Sequence, residues 1–274
     1  MLYVVTAVHN RFNITKRFVE QLKSQSYEDY KLVLVDDGCT DGTPDMVLEL
    51  LPDAVILQGD GNLFWGGALH KAYCWLRDHT SSDDYVMFAN DDTHFQSEYL
   101  STAMNLLKKN ENCMITGCGY SVNTGKQIDG VVHWDYKTGK REENWIPTDS
   151  GNCASTRSLF FSAQTMKRVG GFHPILLPHY GSDYEWTLQA SQKKIAIQSF
   201  EELKYTFDEG TTGDNNLNNL TAKKLFSKRS IKNPVYRMIF VMLSTPVKYL
   251  PVHLCYQIAR YAKKGAIFFE ILKK

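Results

Sequence analysis

The sequence predicts an α/β fold: a doubly wound, mostly parallel sheet flanked by helices, followed by a basic helical extension. Two observations predict the sheet. Over residues 1–95, short continuous apolar runs alternate with amphipathic segments, and runs without polar alternation are strands covered on both faces. These runs stop at polar clusters, namely His9-Asn10-Arg11, Asp36-Asp37 and Asn90-Asp91-Asp92. The third observation is a shift in charge. Residues 222–274 hold twelve Lys or Arg against one acid, Glu270, a net +11 in a chain whose total is +1, leaving −10 for residues 1–221. An acidic body and a basic tail meet different partners.

The elements follow in order. Tyr3–Val8 reads as a buried strand. Asn13 is placed to cap the next helix, in which Ile14, Phe18 and Leu22 recur on one face. Leu32–Val35 is the second strand. Thr43-Pro44 then opens a helix running through Leu51, with proline at the first helical position. Ala54–Leu57 is the third strand, Gly67–His79 a helix and Tyr85–Ala89 the fourth strand. Beyond Gly125 the pattern is irregular, with Ser158–Phe161 as a strand, Thr165–Val169 as a short helix and Asp183–Gln192 as another helix. Residues 208–220 read as a loop, in which Thr211-Thr212-Gly213 is placed to close over a ligand.

The bulk properties are those of a globular chain of 274 residues with 22% charged residues. Six cysteines without a Cys-x-x-Cys pair read as reduced, buried thiols of a cytoplasmic protein. The start of the sequence, Met1-Leu2-Tyr3-Val4, has no basic segment or cleavage site of a signal peptide.

The polar strand ends carry the chemistry. Asp91-Asp92 are adjacent carboxylates suited to a hard divalent cation, which in turn neutralises a diphosphate. On sequence alone, such a pair serves equally as a solvated turn. Asp37, inside Asp36–Thr43, is suited to accept the imide N–H of uracil or thymine, though turn and helix cap explain much of that octet. Gly61-Asn62-Leu63-Phe64-Trp65-Gly66-Gly67-Ala68 is an aromatic, glycine-rich loop before a helix. Its backbone N–H groups suit the donor side, and Trp65 suits a base or sugar face.

Val4–Arg11, the Asp36–Thr43 octet, Asn90-Asp91-Asp92, and Gly170-Gly171-Phe172 followed by Ser182-Asp183-Tyr184-Glu185 together resemble the successive motifs of family 2 glycosyltransferases. The resemblance covers roughly residues 1–200. It implies the GT-A fold, a nucleotide-diphosphate-sugar donor, Mg²⁺ or Mn²⁺, and inversion at the anomeric carbon. By position it makes Asp37 the base contact and Ala7, His9, Asn10 and Arg11 the wall of the nucleotide pocket. Asn62, Trp65, Asn90 and Asp91 join the donor side. Asp92 becomes the metal ligand and Asp183 the catalytic base. The sequence departs from the family pattern in three places: Asn90 stands for the first acid of the D-x-D motif, Ser182 for the Glu that usually precedes the base, and Leu69-His70 for the Arg-Asn of the helix after the glycine-rich loop. His179, Tyr180 and Glu185 are candidate acceptor contacts. If Asp183 and Glu185 lie on one helix they point about 200° apart, so they do not serve the same proton. The implied division is a body of residues 1–221, nucleotide-binding in 1–95 and acceptor-binding in 96–221, with an extension of 222–274.

The extension interleaves Lys and Arg with Phe, Tyr, Leu and Ile, a pattern of amphipathic helices on an anionic membrane surface. Its apolar stretches, Met238–Leu243 and Ala266–Leu272, are too short to span a bilayer. A helical cap on the body and a homodimer contact are the alternatives. No nucleic-acid-binding motif accompanies the charge. The expectation is therefore a sugar transferase acting at the cytoplasmic membrane face. It would use a UDP- or dTDP-sugar and a glycan or lipid-linked acceptor in surface polysaccharide assembly. A sugar-nucleotide nucleotidyltransferase is disfavoured because the first strand end, His9-Asn10-Arg11-Phe12, lacks glycine. A glycan-binding protein without catalysis is disfavoured by Asp37, Asp92 and Asp183 standing together.

Overall fold

The computed structural model describes residues 1–142, 150–208, 210 and 222–260. Its first half runs β1 (Leu2–Val8), α1 (Phe12–Lys23), β2 (Tyr30–Asp36), α2 (Thr43–Leu50), β3 (Val55–Gln58), α3 (Phe64–His79), β4 (Tyr85–Ala89), β5 (Thr93–Phe95) and α4 (Tyr99–Lys109). The strands β6 (Cys113–Ser121), β7 (Gln127–Asp129), β8 (Val131–Trp134), β9 (Arg141–Glu142), β10 (Ser150–Gly151), β11 (Cys153–Ala154) and β12 (Ser158–Ser162) follow. Then come α5 (Ala163–Val169), α6 (Ser182–Gln192), β13 (Ala196–Phe207), α7 (Ala222–Leu225) and α8 (Pro234–Ser244). Residues 250–260 are helical as well.

The main sheet has the order β10-β13-β6-β12-β4-β1-β2-β3. Strands β3, β2, β1 and β4 are parallel neighbours, and β13 is parallel to β6. The five-residue strand β12 is reversed, pairing antiparallel with both β4 and β6. The chain leaves β1 toward β2 on one side and returns to β4 on the other. The crevice at the carboxyl ends of β1 and β4 is thus the topological switch point, where open α/β sheets bind ligands.

Alternation along β1 shows why its run is continuously apolar. Leu2 and Val4 face a core closed by Phe18 and Leu22 of α1 and Leu100 of α4. Tyr3 and Val5 face a second core, closed by Leu69 and Leu76 of α3 and Trp186 of α6. Trp186 is fully buried, stacks on Phe172 at 5.1 Å and donates from Nε1 to Gly170 O at 2.7 Å. The Gly170-Gly171-Phe172 segment is therefore the seat of the helix that carries Asp183.

Several expectations needed correction. Asn13 does not cap α1. The helix starts at Phe12, whose N–H is received by the Asp41 carboxylate at 3.0 Å, so the cap comes from the β2–α2 loop. The third helix starts at Phe64, not Gly67, so Trp65 and Gly66 lie in its first turn. The irregular stretch after Gly125 holds a small three-stranded sheet, β11-β8-β9. Of the six cysteines, three are buried and Cys255 is exposed, all free thiols. Thr211-Thr212-Gly213 and Ala266–Leu272 lie outside the described residues.

The C-terminal segment packs on the body. Phe240 and Val241 of α8 are buried with Val132, Cys153, Leu177 and Leu188, and Trp134 meets Phe240 edge-on at 5.2 Å. Among the described residues, no helix is long and apolar enough to cross a membrane.

Candidate active site

A cavity of about 1280 Å³ opens at the switch point. The body lines it with Ala7, His9, Arg11, Asp37, Trp65 and Asn90, and beyond these with Asp91, Asp92, Asp183, His179 and Tyr180. Eleven of the fourteen predicted site positions thus line one cavity, and Asn10, Asn62 and Glu185 do not.

Asp91 and Asp92 stand just beyond β4 and are both 5% exposed. Two arginines hold them. Arg11, at the end of β1, places Nε 3.0 Å from Asp91 and Nη2 3.5 Å from Asp92. Arg157, before β12, donates from Nη1 to Asp92 Oδ1 at 3.0 Å. Thr15 Oγ1 adds a 2.9 Å bond to Asp91. Burial raises the Asp91 carboxyl, while Arg11 and the Thr15 bond oppose that rise.

Asp37 does local work that the sequence did not disclose. Its Oδ1 accepts from Gly61 N at 2.9 Å and Leu63 N at 3.1 Å, and its Oδ2 from Phe64 N at 3.1 Å. A carboxylate just beyond β2 thereby satisfies the open N–H groups where α3 begins. A carboxylate has about four lone-pair sites, and Asp37 also lines the cavity. The His9 ring joins this arrangement through Nδ1, 2.6 Å from Asp37 O.

Trp65 is fixed from two sides. Its Nε1 donates to Thr156 Oγ1 at 2.9 Å, and Gly66 N donates to Pro178 O at 2.8 Å. A Cβ on Gly66 would lie 2.4 Å from Leu177 O, so only glycine permits this approach of α3 to the 177–182 segment. That approach sets His179 against Phe64 at 5.9 Å and against Tyr180 at 4.3 Å. Burial, helped by the Arg229 charge, pushes the His179 imidazole down to about 4, so it is neutral at pH 7.

Asp183 sits in the first turn of α6, after Gly181 in the left-handed conformation (φ 86°). Burial pushes its carboxyl up to about 6, with Asp129 adding to the rise and the Tyr184 N–H and Arg157 opposing it. A carboxylate with that affinity for protons is matched to general-base work near neutral pH.

Three predicted contacts lie off the cavity wall. Asn10, with φ 52°, turns away and accepts from Thr40 N at 2.8 Å, tying the β1 end to the next loop. Asn62 is exposed, and its N–H bonds Asp60 at 2.9 Å. Glu185 is fully buried on the other side of α6, bonded by Gln189 and 3.3 Å from His173 Nδ1. It braces the residue after Phe172.

The sequence missed Arg157 and Asp129. Arg157 Nε lies 3.3 Å from Asp129 Oδ2, and its guanidinium lies 3.8 Å over the Phe207 ring. Ser155 Oγ donates to Asp129 at 2.7 Å. Both belong to the irregular stretch between Gly125 and Ser158, where no pattern announces them. Also missed was the contribution of the C-terminal segment: Lys228, Arg229, Tyr236, Arg237, Phe240 and Arg260 line the same cavity.

Residues 3–165 match the model of glycosyl transferase family 2, more than half of the chain. The chain belongs to that family. Its GT-A fold is shared with solved structures at low identity. A mannosyltransferase, PcManGT from Pyrobaculum calidifontis with GDP-Man and Mn²⁺, aligns at TM-score 0.56 and 15% identity over 97% of this chain and 79% of that one. GalNAc-T7 with UDP, GalNAc and Mn²⁺ aligns at TM-score 0.63 and 10% identity over 87% of this chain and 48% of that one. TarS of S. aureus aligns at TM-score 0.56 and 14% identity, over 92% of this chain but 43% of its own. Among curated proteins, an N-acetylglucosaminyl-diphospho-decaprenol L-rhamnosyltransferase of Mycobacterium tuberculosis is 27% identical over 101 residues. That match spans 35% of this chain and a third (33%) of the relative.

Proposed function

We propose that this family 2 glycosyltransferase moves a sugar from a UDP- or dTDP-sugar to a hydroxyl of a lipid-linked glycan, with inversion, in surface polysaccharide assembly. The observation that carries the reading is the shared cavity. Asp37 and Trp65 line one part, Asp91-Asp92 the switch point, and Asp183 the side covered by α6. In this reading Asp37 offers its remaining lone pair to the pyrimidine imide, and the neutral His179 and Tyr180 line the acceptor path. Asp183 takes the proton of the acceptor hydroxyl as that oxygen attacks the anomeric carbon, and the nucleotide diphosphate leaves on the opposite face. One displacement with one base inverts the centre, and no second carboxylic acid is required.

The donor set suits Mg²⁺ or Mn²⁺ shared with a diphosphate. Among the described residues there is no cluster of three His, Cys, Asp or Glu side chains that would hold a metal alone, whereas one or two carboxylates plus phosphate oxygens are what Mg²⁺ takes in such sites. Asp92, with Asp91 beside it, would hold the ion, which supplies charge neutralisation for the leaving diphosphate. The Mn²⁺ of GalNAc-T7 and the mannosyltransferase supports this choice. Arg11 and Arg157 keep the two carboxylates oriented through their ion pairs. The lipid-linked acceptor is supported by the name of the mycobacterial relative.

The test is calorimetric titration of UDP and dTDP with Mn²⁺ into the wild type and Asp92→Asn. We expect the wild type to bind at least one nucleotide in a Mn²⁺-dependent way, and Asp92→Asn to lose that dependence. Binding of neither nucleotide defeats the donor assignment, and an unchanged Mn²⁺ requirement in Asp92→Asn defeats the metal assignment.

A further inference from the structure

The backbone donors of the glycine-rich loop are all engaged within the chain. Gly61, Leu63 and Phe64 give their N–H groups to the Asp37 carboxylate. Asn62 N donates to Asp60 Oδ1 at 2.9 Å and Trp65 N to His179 Nδ1 at 3.4 Å. Gly66 N donates to Pro178 O, and Gly67 N to Leu63 O at 3.1 Å. A helix start binds an anion through open N–H groups, and none is open here from Gly61 to Gly67. The donor-side role that the sequence predicts for these groups is therefore closed to them. Negative charge on a ligand at this end of the cavity has to be met by side chains.

Two cations stand at that place. Lys228 Nζ lies 5.7 Å, and the Arg229 guanidinium carbon 5.6 Å, from the centre of the Phe64 ring. Both line the cavity, and the Arg229 charge is felt at His179, whose ring lies 5.9 Å from the same Phe64 ring. Among the described residues, neither cation forms an ion pair with a carboxylate. Asp91, Asp92 and Asp129 are held by Arg11 and Arg157, and residues 222–260 contain no acid. Phe64 has φ 55°, a left-handed conformation that a bulky side chain keeps only where its surroundings enforce it, as they do at binding sites. The Asp37 carboxylate holds its N–H at 3.1 Å, and its half-buried ring is the point where both cations meet the body.

Two like charges beside one ring repel each other, and an anion shared between them removes that cost. The Arg229 fork matches phosphate oxygens in geometry, and Lys228 adds a mobile point charge. We propose that Lys228 and Arg229 grip the diphosphate of the nucleotide donor at the Asp37 end of the cavity. The covering segment then completes a donor site that the glycine-rich loop cannot complete by itself. This rests on the glycosyltransferase reading and deepens it, by assigning donor contacts to residues beyond the 3–165 stretch that matches the family. A phosphate on the acceptor has the same chemistry, so the test separates the two sources.

Calorimetry with Mn²⁕ on the full chain compares UDP with uridine and dTDP with thymidine, the weaker nucleosides being measured by competition. The proteins are wild type, Lys228→Gln/Arg229→Gln, the charge-retaining Lys228→Arg/Arg229→Lys, and Lys232→Gln, an exposed neighbour that is not on the wall. We expect the neutral double variant to bind the diphosphate roughly tenfold or more weakly while the nucleoside binds as before. The charge-retaining variant and Lys232→Gln should stay within about threefold of wild type. Unchanged diphosphate affinity in the neutral double variant overturns the contact and leaves the donor reading standing. Equal losses for nucleoside and diphosphate also overturn it, because the segment then only shapes the pocket. So does glucose 1-phosphate that binds on top of saturating nucleotide and needs the two cations, which assigns them to the acceptor. A wild type that binds neither UDP nor dTDP defeats the donor reading and this contact together.

Discussion

Arg157 donates from Nη1 to Asp92 Oδ1 at 3.0 Å while its Nε lies 3.3 Å from Asp129 Oδ2. One guanidinium therefore links the acid beyond β4 to the acid that ends β7. Both acids line the cavity that also holds Asp183, and the charge of Arg157 is felt at Asp183, where it opposes the upward shift. The Phe207 ring lies 3.8 Å from the guanidinium carbon, a cation–π contact that helps hold the group in place.

Removing that charge has a readout that loss of packing alone does not move. Arg157→Gln is expected to lower kcat roughly 10- to 100-fold, because two buried carboxylates lose their partner. It is also expected to move the acid limb of the kcat–pH profile upward, since one of the influences lowering Asp183 is gone. Arg157→Lys keeps the charge without the fork, so it restores the position of the limb more than the rate. A limb that stays put in Arg157→Gln would show that the arginine only supports the fold.

Asp183 itself makes a paired prediction about rate and stability. Its carboxyl is raised to about 6 in the fold from an ordinary 3.8, so kcat falls as pH drops through about 6 and the base is protonated. The sign for stability is the reverse. A carboxyl raised by folding binds its proton more tightly in the native state, so stability is lost as pH rises from about 4 to about 6. Asp183→Asn should abolish transfer, retain nucleotide binding and be more stable to unfolding than wild type at pH 7.5, by on the order of 1–3 kcal/mol. At pH 4 the two proteins should unfold alike. A variant that keeps wild-type turnover removes Asp183 from the chemistry.

The covering segment also presents an outer face. Val247, Val252 and Ile258 are exposed, Val247 at 84%, and Lys232 and Lys248 belong to the same segment. Cations interleaved with apolar side chains suit an anionic bilayer surface, at about 1 kcal/mol per cation. The chain is expected to co-sediment with vesicles containing phosphatidylglycerol and to be released by salt. Lys232→Glu/Lys248→Glu should weaken that association roughly tenfold or more without altering nucleotide binding. Equal sedimentation with neutral vesicles, or none with either, argues that this face serves another contact.

Legibility in the sequence followed the range of the interactions. The strands β1, β2 and β4 were legible because burial on both faces leaves a continuous apolar run, and their polar ends because nothing apolar survives at the switch point. Helix starts were less so. Asp41 capping α1 and Asp37 capping α3 are carboxylates supplied from other elements, whereas sequence reading looks for caps next to the helix itself. Asn10 and Asn62 sat in the right motifs, yet local turn bonds took them out of the cavity. Arg157 and Asp129 lie in a stretch without periodicity, and only their meeting across the sheet marks them.

The sequence by itself determined the sheet order's two-sided burial, the family, and the set of carboxylates Asp37, Asp92 and Asp183, because each depends on short spacings and hydrophobic patterning. The tertiary structure decided what those carboxylates touch. It neutralised Asp91 and Asp92 with arginines from β1 and from before β12, turned Glu185 into a brace for His173, and folded part of the basic tail over the cavity through Phe240 and Val241. Charge and burial at a site depend on residues far apart in the chain brought to one place, and a linear pattern does not encode that distance.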